Sequence, residues 1–278
     1  MFEGRKLLIA TKHQKEMVIA PILEKELGVK CVVTTSFDTD QLGTFTGEVD
    51  RKDDPITTAK KKCYQAMDLM GYDLAIASEG SFGRHPSVFI APADDEFLVF
   101  IDKKNNLEII ARELSLETNY NGQEVNSTDE LIEFANQCKF PSHGLIVRKS
   151  QTQYTNIQKG ITDWQSLNKA YNELYDLYGS AYIETDMRAM YNPTRMKIIA
   201  QATQKLAKKI NSCCPHCHTP GFGITDAKKG LRCEQCNFPT RSISSYIYQC
   251  QKCDYVEEEK YPFGKQAEDP MYCDNCNP

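Results

Sequence analysis

Eight of the twelve cysteines in this 278-residue chain form four C-x-x-C pairs near the C-terminal end: Cys214/Cys217, Cys233/Cys236, Cys250/Cys253 and Cys273/Cys276. Two thiolates on one such knuckle supply half of a tetrahedral site, and two knuckles complete a four-cysteine zinc site. The gaps between successive pairs hold 15, 13 and 19 residues, so the spacing predicts two zinc ions. Pairing the first knuckle with the second and the third with the fourth gives two ribbon-like loops. The first and last gaps are close to the spacing expected of such paired knuckles, and interleaved pairing also stays open on spacing. Four complete knuckles leave no coordination position open, which predicts structural rather than catalytic ions. The region has few aliphatic side chains and needs such staples to fold. Cys213, His216 and His218 stand beside the first knuckle and read as bystanders.

A second group of reactive residues lies near the N-terminus. The apolar run KLLIA leads into Thr11, Lys12, His13 and Lys15 and then a helical pattern. Backbone N–H groups, a hydroxyl and lysines thus converge on a helix N-terminus, a natural anion site. Asp53 and Asp54 lie just ahead of a second helix carrying Lys60, Lys61 and Lys62. The buried-looking strand DLAIAS then reaches Glu79, with Gly80 and Gly83 close behind. A carboxylate there is either loop punctuation or part of a ligand crevice, because ligands of open α/β sheets bind at strand ends. His85 reads as a loop histidine. Arg188 and Arg195 flank a strand-to-helix junction, as anion-gripping forks or as surface ion-pair partners.

The elements that must position these groups follow from periodicity. KLLIA and VKCVVTTSF read as strands, with the helix KEMVIAPILEKEL between them. A polar loop punctuated by Gly43 and Gly47 leads to a helix starting at Pro55. VFIAP, FLVFID and EIIARELSLETNY read as further strands separated by DDE and KKNN turns. Thr128 is expected to cap the helix TDELIEFANQC. HGLIVRKS and AYIETDMRAM read as strands, DWQSLNKAYNELYDLYG as a helix, and NPTRMKIIAQATQKLAKKI as a long helix opened by Asn192. The expected fold class is α/β, a mixed central sheet flanked by helices over residues 1–211, with a small zinc-ribbon region over 212–278.

The order Ala10-Thr11, the acidic pair Asp53-Asp54, Ala59-x-x-Lys62 and Glu79-Gly80 resembles the inosine/xanthosine triphosphatase group of house-cleaning nucleotide pyrophosphatases. The resemblance covers roughly residues 6–85. His13, Glu16, Thr58 and Ser81 stand where that group has Asn, Lys, Gly and Gly. It implies an ITPase-like fold in which Asp54 or Asp53 and Glu79 hold Mg2+ on a nucleotide's phosphates. Lys62, with Lys12 or Lys15, would then offset developing charge, making Asp54, Lys62 and Glu79 the catalytic set. Thr11, Lys12, His13, Lys15, Asp53 and Arg195 form the expected binding set. The whole chain, with DMRAMYNPTRM and its terminal knuckles, also resembles a bacterial domain family of no assigned activity.

Composition narrows the alternatives. With 41% hydrophobic and 26% charged residues the chain is an ordinary globular one, and its net charge of −5 disfavours broad nucleic-acid binding. The cysteine region is itself acidic, which points to protein contact rather than phosphate tracking. Reduced thiols and the lack of a signal-peptide or membrane-spanning pattern lead to the expectation of a cytoplasmic protein. A metal-dependent phosphoanhydride hydrolase is the leading expectation. The rival is a non-catalytic nucleotide- or protein-binding scaffold that uses the zinc ribbons for partner contact.

Overall fold

The first apolar run forms β1 (Lys6–Ile9), and α1 (Glu16–Leu27) carries the chain back to β2 (Lys30–Val33), parallel to β1. In the computed structural model, residues 1–33, 53–154 and 156–278 are described. The predicted loop glycines Gly43 and Gly47 and the end of the second predicted strand lie outside them. From α2 (Pro55–Met70) the chain enters β3 (Leu74–Arg84), which joins the free side of β1, again parallel. β4 (Pro92–Asp102) and β5 (Leu107–Ser115) add antiparallel strands, giving a mixed five-stranded sheet in the order β2-β1-β3-β4-β5.

Local sequence explains these boundaries. The Asp54 carboxylate accepts the amides of Ile56 and Thr57, both at 3.0 Å, and Pro55 fills the first helical position. Gly71 ends α2 in the left-handed conformation, φ 71°. Ala59, Cys63, Ala66 and Met67 of α2 pack against Leu8, Ala75, Ala77, Val99 and Ile101. Odd-numbered positions of β3 and β4 therefore face α2, and even-numbered ones face away.

A second, antiparallel sheet follows in the order β6-β9-β7-β8, built from β6 (Gly122–Val125), β7 (Leu145–Arg148), β8 (Gln158–Ile161) and β9 (Ala181–Thr185). The helices α3 (Thr128–Gln137) and α4 (Trp164–Tyr178) bury Leu131, Phe134, Leu167 and Tyr171 with Val125, Leu145, Val147 and Ile183 of this sheet. The cap of α3 is Ser127, whose hydroxyl accepts from Glu130 N, rather than Thr128 one place on. The long helix α5 (Pro193–Asn211) opens as expected, with Asn192 Oδ1 accepting from Arg195 N at 3.0 Å.

VFIAP is not a strand, because β4 begins only at Pro92. DDE is not a turn, because Asp94, Asp95 and Glu96 all lie inside β4, paired with β3 and β5. Glu79 does not end its strand, because β3 continues to Arg84. It lies beyond β1's last paired position on β3, Ile76, which is why the shorter strand seemed to stop there.

The chain divides into two compact units, Met1–Ala207 and Lys208–Pro278. In the second, β10 (Gly223–Lys229), β11 (Ile243–Gln249) and β12 (Val256–Lys260) form an antiparallel meander.

Candidate functional site

Knuckles alternate along that meander. The first precedes β10, the second lies between β10 and β11, the third follows β11 and the fourth follows β12. Each strand carries the chain from one end of the sheet to the other, so consecutive knuckles cannot meet. The pairing is accordingly interleaved: Cys214, Cys217, Cys250 and Cys253 form one cluster, and Cys233, Cys236, Cys273 and Cys276 the other. The two successive ribbon loops of the sequential pairing are not what the chain builds.

Cross-knuckle sulfurs lie 3.7 Å apart for Cys214–Cys253, 3.5 Å for Cys217–Cys250, 3.9 Å for Cys233–Cys276 and 3.5 Å for Cys236–Cys273. A tetrahedron with metal–sulfur bonds of about 2.3 Å has edges of about 3.8 Å. Each cluster could therefore hold a zinc ion. His218, Asn237 and Asp254, each just after the second cysteine of a knuckle, take positive φ of 60°, 59° and 55°. That turn aims backbone amides back at the sulfurs. The Cys217 thiol is drawn down to about 6, first by its contact with the Thr219 hydroxyl, and Cys236 to about 6, first by the backbone at Phe238. Donors thus favour a thiolate, the metal-binding form, at one cysteine of each cluster, while Cys253 and Cys276 opposite them are raised to about 12. Cys213 is exposed and outside both clusters, and His216 stacks on Tyr255 at 6.1 Å instead of joining one.

In the first unit the predicted residues separate onto two faces of the five-stranded sheet. Glu79, an odd position of β3, faces α2 and forms a buried ion pair with Lys62. Asp54 is not beside them in function: both its oxygens serve the start of α2, Oδ2 accepting from the Thr57 hydroxyl at 2.5 Å. Asp53 pairs with Lys61 at 2.5 Å. The acidic pair thus sets the position of the helix that presents Lys62.

On the opposite face, Lys15 Nζ donates to Ser78 Oγ at 3.0 Å and to its carbonyl at 3.3 Å, with Thr11 Oγ1 3.5 Å from the same hydroxyl. Burial, then the charge of Arg195, lowers the Lys15 amine to about 7. His13 and Gln14, in the loop that delivers Lys15, take φ of 67° and 60°, a conformation that costs non-glycine residues energy. Lys12 and His13 are half-buried in that loop.

Arg195 is neither a surface partner nor an open fork. Fully buried, it donates from Nε to Glu96 Oε1 at 2.6 Å and from Nη1 to the Met187 carbonyl at 2.5 Å, with its guanidinium 5.0 Å from the Phe82 ring centre. Gly80 answers to this pair. A Cβ there would lie 2.3 Å from Glu96 Oε1 and 2.5 Å from Arg195 Nη2. The glycine expected to admit a ligand's phosphates instead admits an internal ion pair. Arg188 pairs with Asp186 at 2.6 Å, and His85 accepts the amides of Ser87 and Val88 in its own loop.

Sequence reading missed Ser78, Asp94 and Glu96. Burial, then the charge of Glu96, raises the Asp94 carboxyl to about 8. The signal was present as the alternation of Asp94 and Glu96 with Asp95, two buried acids around a half-buried one. Among the described residues no helix is long and apolar enough to cross a membrane.

A search of curated proteins returns no match. A family model described as a domain of unknown function (DUF6671) matches residues 62–278, from the lysine that pairs with Glu79 through all four knuckles, and the chain belongs to that family.

Proposed function

We propose that the chain is a metal-dependent nucleotide, or phosphoanhydride, hydrolase-like protein with an ITPase-like first unit and two structural zinc ions in its second. One observation carries the reading: past the last paired residue of β1 the Thr11–Lys15 loop on one face and the Lys62–Glu79 pair on the other lie near enough for the charges of Glu79 and Lys62 to act on the Lys15 amine. In the strand order β2-β1-β3 this is the switch point, where open α/β sheets bind ligands.

Lys15 and Lys62 would meet phosphate oxygens, and the N-terminus of α1 adds backbone donors. A phosphate that draws Lys62 away frees Glu79, a hard oxygen ligand suited to Mg2+ shared with the substrate. The ion would supply charge neutralisation and an activated water. Thr11, Lys12 and His13 belong to the proposed binding loop, Asp54 positions Lys62 through the α2 cap, and Arg195 acts at a distance through Glu96. The reading also keeps a cytoplasmic location, where thiols stay reduced for zinc.

The test is release of phosphate or pyrophosphate from canonical and deaminated nucleoside triphosphates with Mg2+. Turnover is expected in the wild type and a loss of about 100-fold or more in Glu79→Gln. Equal turnover in the two proteins would exclude Glu79 from the chemistry.

A specific observation favours the scaffold reading: Asp53, Asp54 and Glu79 are each engaged by a partner within the chain. Nucleotide binding without turnover by any substrate would select it. The zinc unit would then serve protein contact, its excess of acids disfavouring nucleic acid.

A further inference from the structure

We propose that Asp94 and Glu96 form a site for a divalent cation of the magnesium or manganese class, on the face of the sheet opposite Glu79. The site goes beyond the function proposed above, because it is built into the protein and needs no substrate to assemble it.

The first support is a deficit of donors. Both oxygens of Asp94 and Oε2 of Glu96 are buried, and among the described residues none of the three meets an amide, hydroxyl or cationic donor, the two carboxyls being left to share a proton with each other or to hold a cation. The two residues are 1% and 0% exposed. Carboxylate oxygens removed from water need a proton donor or a cation. Mg2+ is commonly held by only one or two carboxylates, with water and phosphate oxygens completing its octahedron.

The second support is orientation. Arg195 holds Oε1 of Glu96 at 2.6 Å and is itself anchored on the Met187 carbonyl. Glu96 Oε2 is thereby left toward Asp94, as outer hydrogen bonds fix ligating carboxylates in metal sites. The missing Cβ of Gly80 gives the pair its room against the sheet. Charge completes the argument. With both carboxylates ionised and the buried Lys15 amine neutral, Asp94 and Glu96 exceed Arg195 by one negative charge, so a bound dication leaves a single positive charge suited to an anion such as phosphate.

The experiment titrates the zinc-loaded full chain with Mn2+ alone, reading free ion by electron paramagnetic resonance. One Mn2+ per chain is expected, bound about tenfold or more weakly in Asp94→Asn and Glu96→Gln and equally well in Glu79→Gln. No binding up to millimolar Mn2+, or binding undisturbed by Asp94→Asn, overturns the proposal. Because a buried substitution can unfold the chain, anomalous scattering from Mn2+-soaked wild-type crystals gives a second reading. A peak between Asp94 and Glu96 supports the site, and a peak elsewhere or none overturns it. Mn2+ bound by a chain that hydrolyses nothing would refute the hydrolase and leave the cation site standing.

Discussion

Lys15 and Arg195 show what burial does to two chemically different cations. A guanidinium stays charged, so Arg195 is tolerable inside only because Glu96 and the Met187 carbonyl meet it. Arg195→Met strands a buried carboxylate and is expected to cost about 3–5 kcal/mol, whereas the double change with Glu96→Leu recovers most of it. Gly80→Ala should cost about 1–3 kcal/mol by pushing the pair off the sheet. Urea unfolding midpoints read all three, and a Gly80→Ala protein as stable as wild type would contradict the close approach described above. Lys15 escapes differently, by giving up its proton. Its amine falls from an ordinary 10.5 to about 7, so between those values the unfolded chain binds more protons than the folded one. Stability from this group therefore rises with pH across that window, and the cost of burying the ammonium is felt in full below it. Relative to Lys15→Met, the wild type should gain about 1.4 kcal/mol per pH unit between those limits. A difference that stays flat from pH 7.5 to 9.5 would mean the amine is not buried as described.

At the scale of elements, interleaving of the knuckles makes a prediction that the sequential order reverses. Cys214→Ser with Cys250→Ser removes one cluster and should leave one zinc ion, but Cys214→Ser with Cys233→Ser damages both and should leave fewer. Zinc per chain by atomic emission, after gel filtration, decides between them. The knuckles themselves were legible because C-x-x-C is a local pattern, and four copies of it in one short region supply two complete four-sulfur ligand sets. Their pairing was not, because it depends on which strands run between them. Residues 223–229 and 243–249 carry too many polar side chains to announce a meander by periodicity. The helices α2, α4 and α5 were readable from caps and spacing, but β4 was broken in two by its own acids. Asp94 and Glu96 look like turn residues until their partner is known, and Arg195 lies 99 positions from Glu96. Glu79 was expected in a buried strand and does lie in one, but it pairs with Lys62 rather than being left open for a metal, and the acid expected to share that metal, Asp54, was needed to start the helix. A capping acid and a metal-binding acid look alike in sequence, since both precede a helix.

The whole molecule joins two units stabilised by different means. Met1–Ala207 buries aliphatic clusters, among them one against α2 and one against α3 and α4. In Lys208–Pro278 the buried apolar set beyond α5 is little more than Phe222, Leu231 and four of the cysteines themselves, with Tyr248 and Tyr255 packed on one cluster. Such a set cannot offset the entropy of ordering three strands and four knuckles. Structural zinc contributes about 10–16 kcal/mol per site in small metal-folded domains, so zinc bound at the two clusters would decide whether the second unit folds. Removing zinc with a chelator under reducing conditions should therefore unfold one unit and spare the other. Hydrogen exchange with mass-spectrometric readout separates the two on the intact chain. Amides of β10, β11 and β12 should lose protection on chelation and regain it when zinc returns, while those of β1, β3 and β4 keep theirs throughout. Protection of β11 that survives complete metal removal would show that its tyrosines and its pairing with both neighbours suffice, and the clusters would then have to be assigned a role other than holding the fold.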